Sequence, residues 1–386
     1  MKKINRRLKQ LRILVIYIIS IFLRNFSREY QNVWLISERG DEARDNGYVF
    51  YKYLKNNHPE INVKYVINKK SYDISRIEEK DIVFYQSFEH YIAFLNSKYL
   101  ISTHHMGCSP DFGMFGKLDD KNLVFTRGKR IFLQHGIIYN FLPSLVNKKI
   151  DLFITSAKSE QQFIIQKFKY EMTKIKCTGL PRYDDLENLD KNFILVMPTW
   201  RFYLYYYNEK QFLESEYFKQ WSDFLNSDRV INLLKEKKMK IIFYPHYETQ
   251  KLFNKNNIKN PYVEFALSKQ YDIHELLKEC KMFITDYSST FFDIGYLNKP
   301  IIYFQFDYED FYLKHYKQGY LDLNKDGFGK VCRYKEELLN EVDRVVNNNF
   351  LVEEVFMERE KNFYLYHDKN NCNRIFDNII LLEKEL

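Results

Sequence analysis

Cysteine is sparse and never paired in the sequence: Cys108, Cys177, Cys280, Cys332 and Cys372 stand singly, with no CxxC among them. An odd number of isolated thiols argues against a disulfide framework, offers no zinc-site spacing, and fits a reducing cytoplasm. Acidic residues are missing ahead of Glu29. The uncharged apolar run in that stretch, Ile13 to Leu23, has eleven residues, whereas a membrane-spanning helix needs roughly 20. Bulky Arg24, Asn25 and Phe26 follow it in place of a small-residue cleavage site, which argues against a secretory signal. Repeats, low-complexity linkers and nucleic-acid-binding motifs are absent too, so no nucleic-acid partner is expected. No carboxylate cluster calls for a metal, and no cofactor is implied by composition.

What is present begins with size. A chain of 386 residues with 45% hydrophobic residues is long enough for two domains of ordinary size. The 32 Tyr and 33 Phe read mainly as compositional bias, not as a base-stacking surface. A formal net charge of +8 is moderate for this length, and its placement matters more than its size. Lys2, Lys3, Arg6, Arg7, Lys9 and Arg12 all precede the apolar run. Residues 1–29 are therefore expected to form a short basic, amphipathic helix lying in the interface of an anionic membrane. The alternative is a first helix packed on the protein's own core, with its basic side chains solvated.

From Asn32 onwards, short β-rich runs alternate with helical stretches, the pattern of an α/β sheet. Six runs in the first half read as strands: NVWLISER, VKYVIN, DIVFYQ, YLISTHH, IFLQHG and DLFITSA. Strands this apolar, each ending in polar residues, suggest a parallel sheet whose carboxyl ends face a crevice. Glu38-Arg39-Gly40 ends the first. His104 and His105 are adjacent, so in an extended chain they point to opposite faces, which argues against a shared metal and for core or loop histidines. In Gln134-His135-Gly136 a histidine ends an apolar strand, and Gly136 lets the backbone approach a ligand. Gly179-Leu180-Pro181-Arg182 and Asp184 form a turn before a polar linker, which sets the expected domains at 30–187 and 188–386.

In the second half, FILVMPTWR ends a strand in Thr199, Trp200 and Arg201, and KIIFYPHY ends one in His246. Arg201 could hold a phosphate through paired, charge-assisted hydrogen bonds. The aromatic residues after it could form a lid or a sugar platform, or simply pack. The stretch Phe283 to Asp307 reads as strand, polar turn, helix and strand. Its turn, Asp286, Tyr287, Ser288, Ser289 and Thr290, leads into Phe291, Phe292, Asp293 and Ile294 at helical spacing, and Lys299-Pro300 stops the helix. A strand feeding a helix N-terminus directs free N–H groups at whatever lies above it, a place for phosphate. The plainer alternative is that these hydroxyls cap the helix. Two amphipathic helices are expected from Lys335 onwards.

Five of these strings, HG, TG.PR.D, PTWR, PHY and TDYSS…FD, fall in the order found in the CDP-glycerol glycerophosphotransferases of teichoic acid and capsular phosphopolyol synthesis, which this chain resembles from about Asn32 to Val331. Ile137, Ile138, Tyr139 and Asn140 replace the small and basic residues that follow the family's His-Gly. The resemblance implies a GT-B-like fold, two Rossmann-like domains facing across a cleft. It implies transfer of glycerol phosphate from CDP-glycerol, or of ribitol phosphate from CDP-ribitol, to a lipid-linked polymer acceptor at the cytoplasmic face of the membrane. His135 would be the catalytic base and His246 a second catalytic histidine. Gly136, Thr199, Arg201, Asp286, Tyr287, Ser288, Ser289, Thr290 and Asp293 would bind substrate, with any Mg2+ entering with the donor. A GT-B glycosyltransferase using a nucleotide sugar is the competing enzymatic reading, since that fold serves both chemistries. A polyanion-binding protein is the non-enzymatic one.

Overall fold

The computed structural model describes residues 2–250, 252–253, 257–267 and 270–384. The side chains at the basic positions 2, 3, 6, 7 and 9 lie outside that description. The chain forms two compact units, one of Met1–Ile137, Pro143–Asp185 and Leu365–Leu386, the other of Ile138–Leu142 and Leu186–Tyr364.

The first unit is built on seven parallel strands: β1 (Trp34–Ser37), β2 (Val63–Ile67), β3 (Ile82–Phe84), β4 (Tyr99–Ser102), β5 (Lys129–Phe132), β6 (Leu152–Thr155) and β7 (Ile175–Cys177). Their order is β3-β2-β1-β4-β5-β6-β7, with Trp34 opposite both Val63 and Tyr99. Such a sheet is covered on both faces, so its strands are unbroken apolar runs; every residue of β1, β4 and β6 is buried.

The second unit repeats the plan with β8 (Phe193–Met197), β9 (Lys240–Phe243), β10 (Val263–Phe265), β11 (Met282–Thr285), β12 (Ile301–Phe304) and β13 (Lys330–Cys332), in the order β10-β9-β8-β11-β12-β13. Its core is aromatic: Phe212, Tyr217, Trp221 and Phe224 pack with Phe243, Ile284 and Phe304 from the sheet. In both sheets the winding direction reverses beside the first strand of the unit, between β1 and β4 and between β8 and β11. Loops at the carboxyl ends of those pairs splay apart, which makes them the natural ligand positions of an open parallel sheet.

Two features depart from the sequence expectation. Three helices follow Lys335, not two: Lys335–Asn347, Glu354–Phe363 and Asn371–Lys384. The last of these belongs to the first unit, so the second domain does not run to 386. The physical reason is burial: Ile375 and Ile379 are fully enclosed, and Phe376 stacks on His58 at 3.7 Å and on Trp34 at 5.8 Å between ring centroids. The helix Lys2–Leu23 packs Ile13 and Tyr17 into the first unit's core beside Leu35, Tyr91 and Phe115. Among the described residues no helix is long and apolar enough to cross a membrane.

Candidate active site

In the first unit the site grows from the loop after β1 and the ends of β4 and β5. Glu38 follows β1 directly and is almost wholly buried. Its carboxylate accepts N–H groups from Arg44 (2.9 Å), Asp45 (3.1 Å) and Tyr48 (2.7 Å), and so folds the loop back to start the helix Asn46–Asn57. Burial, with the Asp45 charge beside it, pushes the Glu38 carboxyl up to about 8.

Asp45, at the N-cap of that helix, is thereby held with one carboxylate oxygen 2.5 Å from Nδ1 of His135. Its other oxygen accepts from Arg182 at 2.8 Å, and the same guanidinium donates to the His135 carbonyl. The imidazole itself stays open, its side chain 63% exposed. Gln134 presents it from a left-handed backbone at φ 63°. Strain of this kind persists only where the surroundings enforce it: Gln134 is buried and donates to Ile154 O (2.5 Å) and Glu160 (3.0 Å), while its carbonyl accepts from Asn46 (2.8 Å). His104 lies with its ring 5.1 Å from that of His135, and burial, then the neighbouring His135, hold it well below the usual imidazole range. His105, in the turn that follows β4, faces Asp119 at 3.5 Å. A histidine whose Nδ1 is tied to a carboxylate and whose Nε2 side faces outward is arranged to take a proton.

In the second unit the site sits at the ends of β8, β9 and β11. Arg201 is fully buried between two carboxylates, Asp286 at 2.9 Å and Asp307 at 2.7 Å, and donates to Thr199 O at 2.6 Å. Rings of Tyr287 and Phe311 lie on it at 5.0 and 4.9 Å. This corrects the expectation that Arg201 holds phosphate directly. Its donors face inward, and it fixes the loops that carry Thr199, Asp286 and Tyr287. Asp286 in turn accepts from Thr199 N (2.8 Å) and Tyr287 N (2.7 Å). Burial raises the Asp286 carboxyl, opposed chiefly by Arg201.

Beyond this buried layer, Ser288, Ser289 and Thr290 remain partly exposed. Ser288 and Thr290 join hydroxyls at 2.8 Å, and Thr290 stands at the start of the helix Phe291–Tyr296 without capping it through its side chain. Asp293 is buried within that helix. His246, at the end of β9, stacks on Trp200 (5.7 Å, 14° between planes), and its Nδ1 accepts from Glu248 N at 3.3 Å. That acceptance leaves the neutral ring's proton on Nε2. His315 meets the same indole edge-on, accepts from Phe202 N at 3.0 Å, and is pushed down to about 4 by burial and by Arg201.

The structure thus assembles His135 and Gly136 in one unit, and Thr199, Arg201, His246 and the turn from Asp286 to Thr290 in the other. Asp45, Arg182, Asp307 and His315 carried no assigned role in the sequence. Among the described residues no three acidic, histidine or cysteine side chains gather closely enough to hold a metal.

The model of the family described as CDP-glycerol:poly(glycerophosphate) glycerophosphotransferase matches residues 17–381. The minor teichoic acid biosynthesis protein GgaB of Bacillus subtilis is 36% identical over 91% of this chain and 40% of its own length. The teichoic acid poly(glycerol phosphate) polymerase of the same organism is 24% identical over 81% of this chain and 44% of its own. The chain therefore spans less than half the length of these two relatives. Solved structures of the wall teichoic acid polymerase TagF superpose with a TM-score of 0.68 at 18% identity, over 98% of each chain. A crystal structure of UDP-N-acetylglucosamine 2-epimerase follows the same fold at TM-score 0.53 and 10% identity, over 92% of this chain and 96% of its own. With two Rossmann-like units of GT-B class and a family match along nearly its whole length, the chain belongs to the CDP-glycerol:poly(glycerophosphate) glycerophosphotransferase family.

Proposed function

We propose that this chain transfers glycerol phosphate, or a related polyol phosphate, from a CDP-linked donor to a hydroxyl of a lipid-linked teichoic acid or capsular polymer precursor, releasing CMP. The observation that carries the reading is the open His135 imidazole held through Nδ1 by the buried Asp45. The acceptor oxygen attacks the phosphorus that bears the polyol, and the bond from that phosphorus to the CMP oxygen breaks. His135 takes the hydroxyl proton at Nε2, and Asp45 steadies the resulting imidazolium. His246 Nε2–H and the Ser288, Ser289 and Thr290 region meet the charge developing on the diphosphate. Arg201 acts from behind, holding Thr199 and Asp286 in place.

The glycerol donor is supported by the family match and by a TagF structure solved after a CDPG soak. A teichoic acid poly(ribitol-phosphate) polymerase of Bacillus spizizenii, 27% identical over 51% of this chain, keeps CDP-ribitol beside it. Mg2+ would come only with the donor's diphosphate. Asp286 and Asp307 are engaged by Arg201 and do not suit a resident ion. A nucleotide donor and a lipid-linked acceptor meet at the cytoplasmic face of the membrane, where the chain would sit peripherally.

The test is CMP release from CDP-glycerol and from CDP-ribitol, with membranes of a polymer-making bacterium as acceptor. One donor should react, and His135→Ala should lower the rate ~100-fold or more. An unchanged rate in that variant removes His135 as the base. Release from neither donor, with firm binding of a nucleotide sugar, would favour sugar transfer instead.

A further inference from the structure

Tyr139 stands four residues beyond His135, in the segment Ile138–Leu142 that belongs to the second unit. It falls where the family carries small and basic residues, yet it is buried and brings no charge. Its backbone is clamped in place. Tyr320 N–H donates to Tyr139 O (3.3 Å), Phe141 N–H donates to Lys317 O (3.1 Å), and a Cβ at Gly319 would overlap Tyr139 O. The ring lies edge-on to Phe291 and Phe292, at 5.5 and 5.8 Å between centroids. So held, its hydroxyl donates to Tyr287 O at 2.6 Å. Burial pushes this phenol far above the usual tyrosine range, which keeps it a donor.

We infer that Tyr139 is a positioning residue for the donor's diphosphate, acting through the peptide between Tyr287 and Ser288. This rests on the placement of the diphosphate at Ser288, Ser289 and Thr290 proposed above. In a planar trans peptide the carbonyl and the following N–H point in opposite directions. With Tyr287 O drawn inward to Tyr139, the N–H of the partly exposed Ser288 is turned away from the core. The groups just before it are tied down: Gln305 donates to Asp286 O (3.1 Å), and Tyr287 N–H donates to the Asp286 carboxylate (2.7 Å). Among the described residues nothing accepts from the N–H groups of Ser288 and Ser289. Without the Tyr139 hydroxyl, Tyr287 O is left buried and short of its donor. Rotation of that peptide relieves the cost, and it carries the Ser288 N–H off the phosphate. The one polar atom of the Tyr139 side chain is engaged by Tyr287, so its influence on the donor runs through the backbone.

The experiment is calorimetric titration of the whole chain with CDP, UDP and cytidine, in the wild type and in two variants. Tyr139→Phe keeps the ring and removes only the hydroxyl. Tyr364→Phe is the matched control, because Tyr364 likewise donates to a backbone carbonyl, that of Phe292 at 2.5 Å. Both variants should melt at a lower temperature, each having lost one buried hydrogen bond. Tyr139→Phe alone should bind the preferred diphosphate ~10-fold more weakly, with cytidine, which has no phosphate, bound as before. An unchanged diphosphate affinity in Tyr139→Phe overturns the assignment, as does an equal loss for cytidine or an equal loss in Tyr364→Phe. No binding of either diphosphate by the wild type overturns it too. The wild type's choice between CDP and UDP tests the donor proposed above. The ratio of wild type to Tyr139→Phe on the better-bound diphosphate tests Tyr139, so each can fail without the other.

Discussion

Glu38 is a buried carboxyl group that sets where Asp45, the partner of His135, stands. Three N–H groups and the helix start converge on it, but burial and Asp45 win and raise it to about 8. The sign of the pH effect follows from linkage. Unfolded, the group titrates near 4.5. Below that, both states are protonated and the group costs nothing. Between there and about 8 the unfolded chain sheds its proton while the folded one keeps it, so stability falls with rising pH and levels off above. Denaturant unfolding across this window should show a loss on the order of 1 kcal/mol or more that Glu38→Gln abolishes. Equal slopes in the two proteins would mean that Glu38 stays ionised, held by its three donors. At this scale the placing of His135 was legible, as a histidine that closes an apolar run just before a glycine. Asp45 was not, since its role exists only where the loop after β1 meets the end of β5. Its one sequence signal was an acid at the N-cap of the helix starting at Asn46. Arg201 was visible as a residue, but its burial, and with it its inward-facing role, was not.

Among the elements, the long apolar strands could be read directly, since a parallel strand buried on both faces is an uninterrupted β-prone run. Of the three-residue strands, β3 was readable because Ile82–Phe84 sits in the longer β-prone run DIVFYQ; β7, β10 and β13 have no such run around them, and only their neighbours in the sheet make them strands. The turn Pro181–Asp184 shows how much a motif conceals. Arg182 reaches Asp45, while Asp184 accepts from Asn371 N (2.9 Å), Asn371 Nδ2 (2.7 Å) and Cys372 N (2.7 Å). It thereby supplies from far away in sequence the acceptor that the helix Asn371–Lys384 needs at its start. Gly179, two residues before the turn, holds φ +83°, and a Cβ there would fall 1.9 Å from the Asn371 side-chain oxygen. Asp184→Ala should therefore cost about 1–2 kcal/mol, the usual value of a lost N-terminal cap, seen as a lower unfolding midpoint with an unchanged denaturant slope. Asp184→Asn, which keeps an acceptor, should recover most of it. No loss in Asp184→Ala would mean that solvent serves those N–H groups equally well.

On the scale of the whole molecule, the chain does not finish one unit before completing the other. The segment Ile138–Leu142 leaves the first unit early, where Phe141 pairs with Lys317 and Tyr139 donates to Tyr287 O at 2.6 Å, and Leu365–Leu386 returns to the first after the second is built. No composition shift announces either crossing, which is why a single boundary near 187 was the natural reading. The return segment is not ornamental to the first sheet. Ile375 and Ile379 are completely enclosed, Phe376 packs on Trp34 of β1, and Tyr99 of β4 donates to Glu383 at 2.9 Å. Burying Ile375 and Ile379 is worth roughly 1.5–3 kcal/mol each, with a smaller contribution from the half-buried Phe376, a large share of the margin that holds an ordinary domain together. Ending the chain after Tyr364 should therefore unfold or loosen the first unit while the second keeps its own core. Hydrogen exchange read by mass spectrometry would resolve this: amides of β1, β2 and β4 should lose protection, and those of β8, β9 and β11 should keep it. CMP release should vanish with the collapse of the loop that holds Asp45. Uniform loss of protection across both sheets would show the two units to be one cooperative system, and full protection of β1 would show the terminal helix to be dispensable.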